Sequence, residues 1–205
     1  DTHSHLDLLE NFDLAVKEIE EKKIYTIAVT NLPVLYEKLS KKINSKYIKP
    51  ALGFHPELIG QYQKYIPDMW RLLPDARYIG EVGLDYNVGI SSKQIQISFF
   101  EELIERCNDL GNKILTIHSR SSAEDVVSII GNNFNSKFIL HWYSGSLTTL
   151  NKAIYNNAYF SINYAMVNSE NGKRIIANIP INRLLLESDA PFVMYDKNVF
   201  FKTTD

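Results

Sequence analysis

All five histidines of the chain, His3, His5, His55, His118 and His141, stand at the ends of short aliphatic runs. Two carboxylates share that placement, Glu81 in GEVGLD and Asp189 in ESDAP. Neutral imidazole and carboxylate are ligands for divalent ions such as Zn²⁺, Mn²⁺ or Mg²⁺. The spacing His3-x-His5 sets both rings on one side of an extended segment, because side chains alternate with period two. A carboxylate has two oxygens, so one glutamate can bridge two metals about 3.5–4 Å apart. Such a pair polarises a phosphoryl oxygen and acidifies a water held between the ions. A lone histidine at a strand end is more often a hydrogen-bonded structural residue. Five of five at four different strand ends point instead to a metal site. Asp1, Asp7 and Asp85 fit helix caps or loop solvation as well as function.

These residues need a scaffold that brings distant chain positions to one place. Seven runs read as strands buried on both faces: 24–31, 47–55, 76–85, 113–120, 137–142, 158–163 and 183–191. The segments between them read as helices. Residues 11–23 carry Phe12, Ala15 and Ile19 opposite a Glu/Lys-rich face, and residues 91–110 open on Ser91-x-x-Gln94 and close before Gly111. Ser121-x-x-Glu124 repeats the capping box. One marker per strand gives His5, Asn31, His55, Glu81, His118, His141, Asn163 and Asp189, in steps of 26, 24, 26, 37, 23, 22 and 26 residues. Each step is about one βα unit. Strict alternation predicts an α/β fold, a TIM (β/α)₈ barrel, whose strands all end at the face where catalytic groups gather. The barrel is expected to be incomplete at both chain ends. The residues that would form the first strand before His3 are not in the chain, and only 16 follow Asp189.

Composition sets outer bounds. With 205 residues, 45% apolar and 22% charged, the chain suits one globular domain over 1–205, with no low-complexity run or linker to divide it. No stretch approaches about 18 consecutive apolar residues, and DTHSHLDLLE has neither a basic leader nor an apolar core, so neither a membrane span nor a signal peptide is expected. A single cysteine, Cys107, suits a reducing, cytoplasmic location. The net charge of −2 argues against a broad basic face that wraps duplex DNA, and says little about hydrolysis of a phosphate held by metals.

The blocks DTHSHLD (1–7), GFHPE (53–57), GEVGLDY (80–86), IHSR (117–120), HWYSGS (141–146) and LLLESDAP (184–191) together resemble the TatD family of metal-dependent deoxyribonucleases. The resemblance spans nearly the whole chain, in the family's order. It implies that His3 and His5, with Asp189, hold one metal, that Glu81 bridges, and that His118 and His141 hold the second. His55 matches a motif histidine near the scissile phosphate, suited to stabilise or protonate the leaving group. Asp189 is also placed to accept a proton from the attacking water. Arg120 fits a phosphate contact or an exposed salt bridge. Two departures stand out. The family usually has GxHPH where this chain has Glu57, which puts the role of that second histidine in question. HCFSGS is replaced by HWYSGS, so Trp142 and Tyr143 offer aromatic faces that could stack a base or fill the core.

The resemblance implies an enzyme that trims DNA, single-stranded ends in particular, with two divalent metals (Mg, Mn or Zn). Two other functions compete. One is a small-molecule amidohydrolase or phosphoesterase; many related barrels bridge their metals with a carbamylated lysine at the place held here by Glu81. The other is a TatD-like subunit of a multi-protein assembly, such as an antiphage defence system, with protein partners.

Overall fold

Runs rich in Ile, Val, Leu and Tyr favour extended backbone, and runs apolar on both faces favour interior parallel strands. In a computed structural model, which describes residues 1–87 and 92–193, all seven runs are strands. They are β1 (Thr26–Ala28), β2 (Ile48–Pro50), β3 (Tyr78–Asp85), β4 (Ile114–Arg120), β5 (Lys137–His141), β6 (Tyr159–Ile162) and β7 (Leu184–Leu186). α1 (Phe12–Lys22) precedes β1, and between the strands lie α2 (Pro33–Lys42), α3 (Pro56–Ile59), α4 (Ile66–Leu72), α5 (Lys93–Leu110), α6 (Ala123–Ile130) and α7 (Leu147–Tyr155). The short helices α8 (Tyr164–Asn168) and α9 (Glu170–Ile176) join β6 to β7. No helix among the described residues is long and apolar enough to cross a membrane.

Every strand pairing is parallel. The regular ladders fall into two sheets, β1–β2 and β3–β4–β5–β6–β7. A bridge from Leu52 to Ile79 links the two sheets, and a second joins Ser4 to Ala28 of β1. On its other side the N-terminal segment meets the chain beyond β7: Thr2 N–H donates to Leu186 O, Asp189 N–H to His3 O and His5 N–H to Ala190 O, each at 2.9 Å. The first station of the expected barrel is thus one bridging residue rather than a regular strand. The ladders alone do not close a ring.

Period-two alternation sorts the strand side chains into an inside and an outside. Ile27, Val29, Ala51 and Ile139 form an inner cluster, with Ile114, Tyr159 and Leu185 packed against it. Leu115, Ile117, Phe138, Leu140 and Phe160 point the other way, into the larger core shared with helical Phe100, Leu103, Val126 and Leu150. Moving up the inner face by twos, the residues turn polar: Ile114 gives way to Thr116 and His118, Ile139 to His141, Tyr159 to Ser161 and Asn163, and Leu185 to Glu187 and Asp189.

Glu81 reaches the same interior through an irregularity. β3 spends three residues, Ile79 to Val82, where β4 spends two, Leu115 to Ile117. The extra residue makes a bulge, which bends a strand and re-aims a side chain. Neighbouring backbones crowd the bulge. A Cβ on Gly53 would lie 1.6 Å from Thr30 O and 2.6 Å from Glu81 N, and one on Gly80 would lie 2.3 Å from Thr116 Cγ2. Only glycine lets β2 and β4 approach that closely.

Helix ends depart from the expected boxes. Gly111 closes α5 with φ 62°, as its position predicts. The Ser91-x-x-Gln94 box begins outside the described residues. Ser121-x-x-Glu124 forms no box: the N-cap of α6 is Ser122, whose hydroxyl donates to Leu84 O (2.7 Å), while the Ser121 hydroxyl donates to Asn87 Oδ1 (3.0 Å). Acceptors at the end of β3 outcompete the helix's own backbone.

At the opposite end of the strands Lys113 is buried, and its Nζ donates to Leu73 O, Pro74 O and Ala76 O at 2.8–2.9 Å. It staples the turn after α4 to the start of β4. Lys113→Met keeps the apolar stem and leaves these carbonyls without a donor. Stability should fall by roughly 1–3 kcal/mol, several degrees in Tm. Thermal unfolding followed by circular dichroism checks this, and an unchanged Tm would remove the staple.

Candidate metal centre

The polar upper layer converges on Glu81, which is 3% exposed. Its two oxygens face different imidazoles. Oε2 lies 3.1 Å from His5 Nε2 and 3.6 Å from His3 Nε2. Oε1 lies 2.7 Å from His118 Nδ1, 2.9 Å from His141 Nε2 and 3.4 Å from His55 Nε2. Asp189 stands beside the first set, with Oδ1 at 3.7 Å from His3 Nε2 and 3.8 Å from His5 Nε2. The structure therefore gathers all six expected ligands, and His55, at one place.

Most of the rings are oriented from behind. His3 Nδ1 is hydrogen-bonded to Thr116 Oγ1 at 2.7 Å, which turns Nε2 toward Glu81 and Asp189. His118 donates Nε2–H to Asp85 Oδ2 at 2.8 Å and turns Nδ1 inward. The Nδ1 of His141 faces Glu187 Oε1 at 3.8 Å. Glu187 is fully buried and accepts from Asn163 Nδ2 (2.9 Å), from the Trp142 backbone N–H (3.1 Å) and from the Ser161 hydroxyl. Carboxylate or hydroxyl partners behind metal-binding imidazoles fix their tautomer and raise their basicity.

Asp85, Glu187 and Thr116, which stand behind the imidazoles, are residues that strand-end counting misses. Each sits two or four residues from a ligand on the same strand face: Asp85 after Glu81, Glu187 before Asp189, Thr116 before His118. Period two was the signal that could have found them. Asp85 serves both sides: Oδ2 accepts from His118, and Oδ1 accepts the Asn87 backbone N–H (2.8 Å) in the loop after β3. Asp1 is a clamp on the last loop: its carboxylate accepts the Ser188 N–H (3.0 Å) and hydroxyl (2.6 Å). Asn163 caps α8 and supports Glu187.

The cluster's electrostatics follow from burial. Burial alone would push the Glu81 carboxyl up, but the imidazoles of His55, His141 and His118 outweigh it and hold it well below the usual range. Burial pulls His3 well down, reinforced by His141. For His118 and His141 burial also pulls down, yet Asp85 and Glu81 raise the first, and Glu81 and Glu187 raise the second well above the usual imidazole range. Burial, with Glu187 and Glu81 nearby, pushes Asp189 up to about 7 against the pull of His141.

A divalent cation fits these donors. His3 Nε2 is buried without a hydrogen-bond partner and faces two carboxylates. Three groups have one ligand atom per residue within 4.8 Å of one another: His3–His5–Asp189, His3–Glu81–His141 and His55–Glu81–His118.

The centre opens into a cleft of about 580 Å³, and Glu57, Arg120, Trp142 and Ser144 are among its walls. Arg120 is exposed, and its Nη1 lies 4.0 Å from Asp85 Oδ2. Trp142 is 38% exposed, whereas Tyr143 is buried and corrects the expectation of a stacking contact. Trp142 takes φ 39°, which turns the chain after β5 so that Tyr143 drops against Phe160 and its hydroxyl donates to Ser146 O (2.8 Å). Asn31 lies three residues beyond β1 and does not line the cleft.

Residues 1–199 match the model of the family described as TatD related DNase. An uncharacterized metal-dependent hydrolase of Buchnera aphidicola is 32% identical over 94% of this chain and 81% of its own length. The human deoxyribonuclease TATDN3 is 24% identical over 97% of this chain and 80% of its own. The crystal structure of YJJV, a TatD homologue from Escherichia coli, superposes with a TM-score of 0.80 at 20% identity, over 93% of this chain and 78% of that one. That likeness extends the seven-strand description to the barrel fold. A family model spanning nearly the whole chain settles the relationship: the protein belongs to the TatD family of metal-dependent hydrolases.

Proposed function

We propose that this chain hydrolyses phosphodiester bonds of DNA, trimming single-stranded ends, with two divalent metals bridged by Glu81. The observation that carries the proposal is the division of Glu81: one oxygen toward His3 and His5, the other toward His118 and His141. One ion would be held by His3, His5, Glu81 and Asp189, the other by Glu81, His118 and His141. When bound, such a pair supplies charge to polarise the phosphoryl group and to acidify water. Neither the amidohydrolase nor the assembly-subunit alternative is favoured by the relatives.

The remaining groups act on protons and on substrate. Asp189, beside His3 and His5, is placed to take a proton from the attacking water. His55 Nδ1 accepts the Glu57 backbone N–H at 3.2 Å. Its proton therefore sits on Nε2, the nitrogen nearer Glu81. That tautomer suits a donor to the leaving group and not a metal ligand, since ligation needs the Nε2 lone pair. Arg120 and Trp142 on the cleft wall offer a cation for a phosphate and a face for a base, a combination that favours single strands.

Glu81→Gln keeps shape and removes the bridging charge, so DNA turnover should fall by several orders of magnitude with loss of bound metal. Near-normal activity with metals retained would overturn the bridge. His55→Ala should keep its metals while the rate drops about 10²–10⁴-fold; metal loss in that variant, read by elemental analysis, would make His55 a ligand instead.

Metal uptake should also release protons. With pKa values raised at His118, His141 and Asp189, the empty centre holds protons near neutrality, and ligation requires the deprotonated forms. Affinity should therefore rise as pH rises through about 7, the value to which Asp189 is pushed. Calorimetric titration at pH 6.5–7 in buffers of different ionisation heat measures the release; binding heat independent of buffer would contradict it.

A further inference from the structure

The cleft is electrically lopsided. Arg120 is the one lysine or arginine lining it among the described residues, and it ends β4, with Trp142 next round the ring after β5. Glu57 lines the cleft from the β2 side, two strands away from Arg120. Its carboxylate makes no hydrogen bond or ion pair among the described residues, and the side chain is exposed. The position is nonetheless fixed. Glu57 follows buried Pro56 in the first turn of α3, and its backbone N–H is bonded to His55 Nδ1. His55 Nε2 in turn is 3.4 Å from Glu81. An unpaired negative charge thus stands beside the proposed proton donor, in the same cleft as the cation and the aromatic ring but two and three strands away from them.

We propose that Glu57 is a specificity-determining residue that makes the cleft sort nucleic-acid ends by charge. A terminus with a free hydroxyl is accepted on the Glu57 wall, while the phosphate and base of the adjoining nucleotide lie toward Arg120 and Trp142. A terminus carrying a phosphomonoester is rejected there, because its charge meets an unneutralised carboxylate. The inference rests on the nuclease function proposed above and narrows its substrate to strands with one dephosphorylated end. Like charges about 5 Å apart at a screened surface are worth on the order of tenfold in an equilibrium, and the effect weakens as salt shortens the Debye length.

The test uses the whole protein loaded with Mn²⁺ or Mg²⁺ and one single-stranded oligonucleotide in four forms, hydroxyl or phosphate at the 3′ end and at the 5′ end. The readout is the ratio of kcat/KM for the hydroxyl form over the phosphate form at each terminus. In the wild type one terminus should give a ratio on the order of ten, shrinking as salt is raised. Glu57→Gln, which preserves the backbone bond to His55, should bring the ratio close to one, and Glu57→Lys should invert it. A ratio equal in wild type and Glu57→Gln, or one unaffected by salt, overturns the assignment while leaving the nuclease function standing. Failure to cleave any of the four forms overturns the nuclease function itself, and this proposal with it.

Discussion

Glu81 is a carboxylate taken out of water at the centre of the molecule, and the surrounding architecture answers to it. An ionised group buried without partners is far too costly to keep in a folded protein. Here imidazoles approach from four directions, along the N-terminal segment and the ends of β2, β4 and β5. Each of them offsets part of its charge, and removing one leaves that part uncompensated. The crowding at Gly53 and Gly80 has the same origin. Backbones must come close for the bulge in β3 to project Glu81 inward rather than into the outer core.

The demands of stability and of chemistry are separated along the strand axis. Toward the start of the strands the interior is apolar and Lys113 ties helix to strand; toward the end it carries histidines and acids. This is the usual division of a barrel, where one face sustains the fold and the other works. Left-handed backbone occurs at both ends of the strands, before them at Lys23, Asn112 and Asn157 and after them at Ser121, Trp142 (φ 39°) and Asp189 (φ 48°). Residues other than glycine rarely adopt such angles, and they persist only where the surroundings hold them. The Trp142 N–H bonds to the buried Glu187, and the half-buried Asp1 clamps the loop leading to Asp189, so both positions are held by carboxylates.

How much of this was legible in the sequence depends on the physical signal. The strands were, because runs such as KILTIH and KFILH are apolar on both faces and end at marked residues. The convergence of the histidines was, because imidazoles confined to strand ends have one common destination in a barrel. What escaped did so for stated reasons. A bulge depends on close backbone approach in three dimensions, so no spacing rule foretold how Glu81 is aimed. The Ser121 box failed because its hydroxyls found partners on another element. Tyr143 was offered to substrate when only the left-handed turn at Trp142 decides which of two adjacent aromatics faces the cleft. Asp85 and Glu187 were legible in principle, since period two already placed them in line with ligands.

The same periodicity explains why substrate preference can vary while the metal centre stays fixed. The ligands and their supports occupy the inner face and are bound to one another, so a change in one disturbs several. One or two residues further along each strand end the constraint lapses. Glu57 lies two beyond His55, Arg120 two beyond His118 and Trp142 one beyond His141, and these positions line the cleft without ligand atoms in the cluster. Substitution there alters charge and shape at the mouth at little cost to the fold, whereas the loops that carry them are anchored by the ligands themselves. On the proposed function, chemistry rests with residues that face each other across the barrel, and selectivity with their next neighbours along the chain.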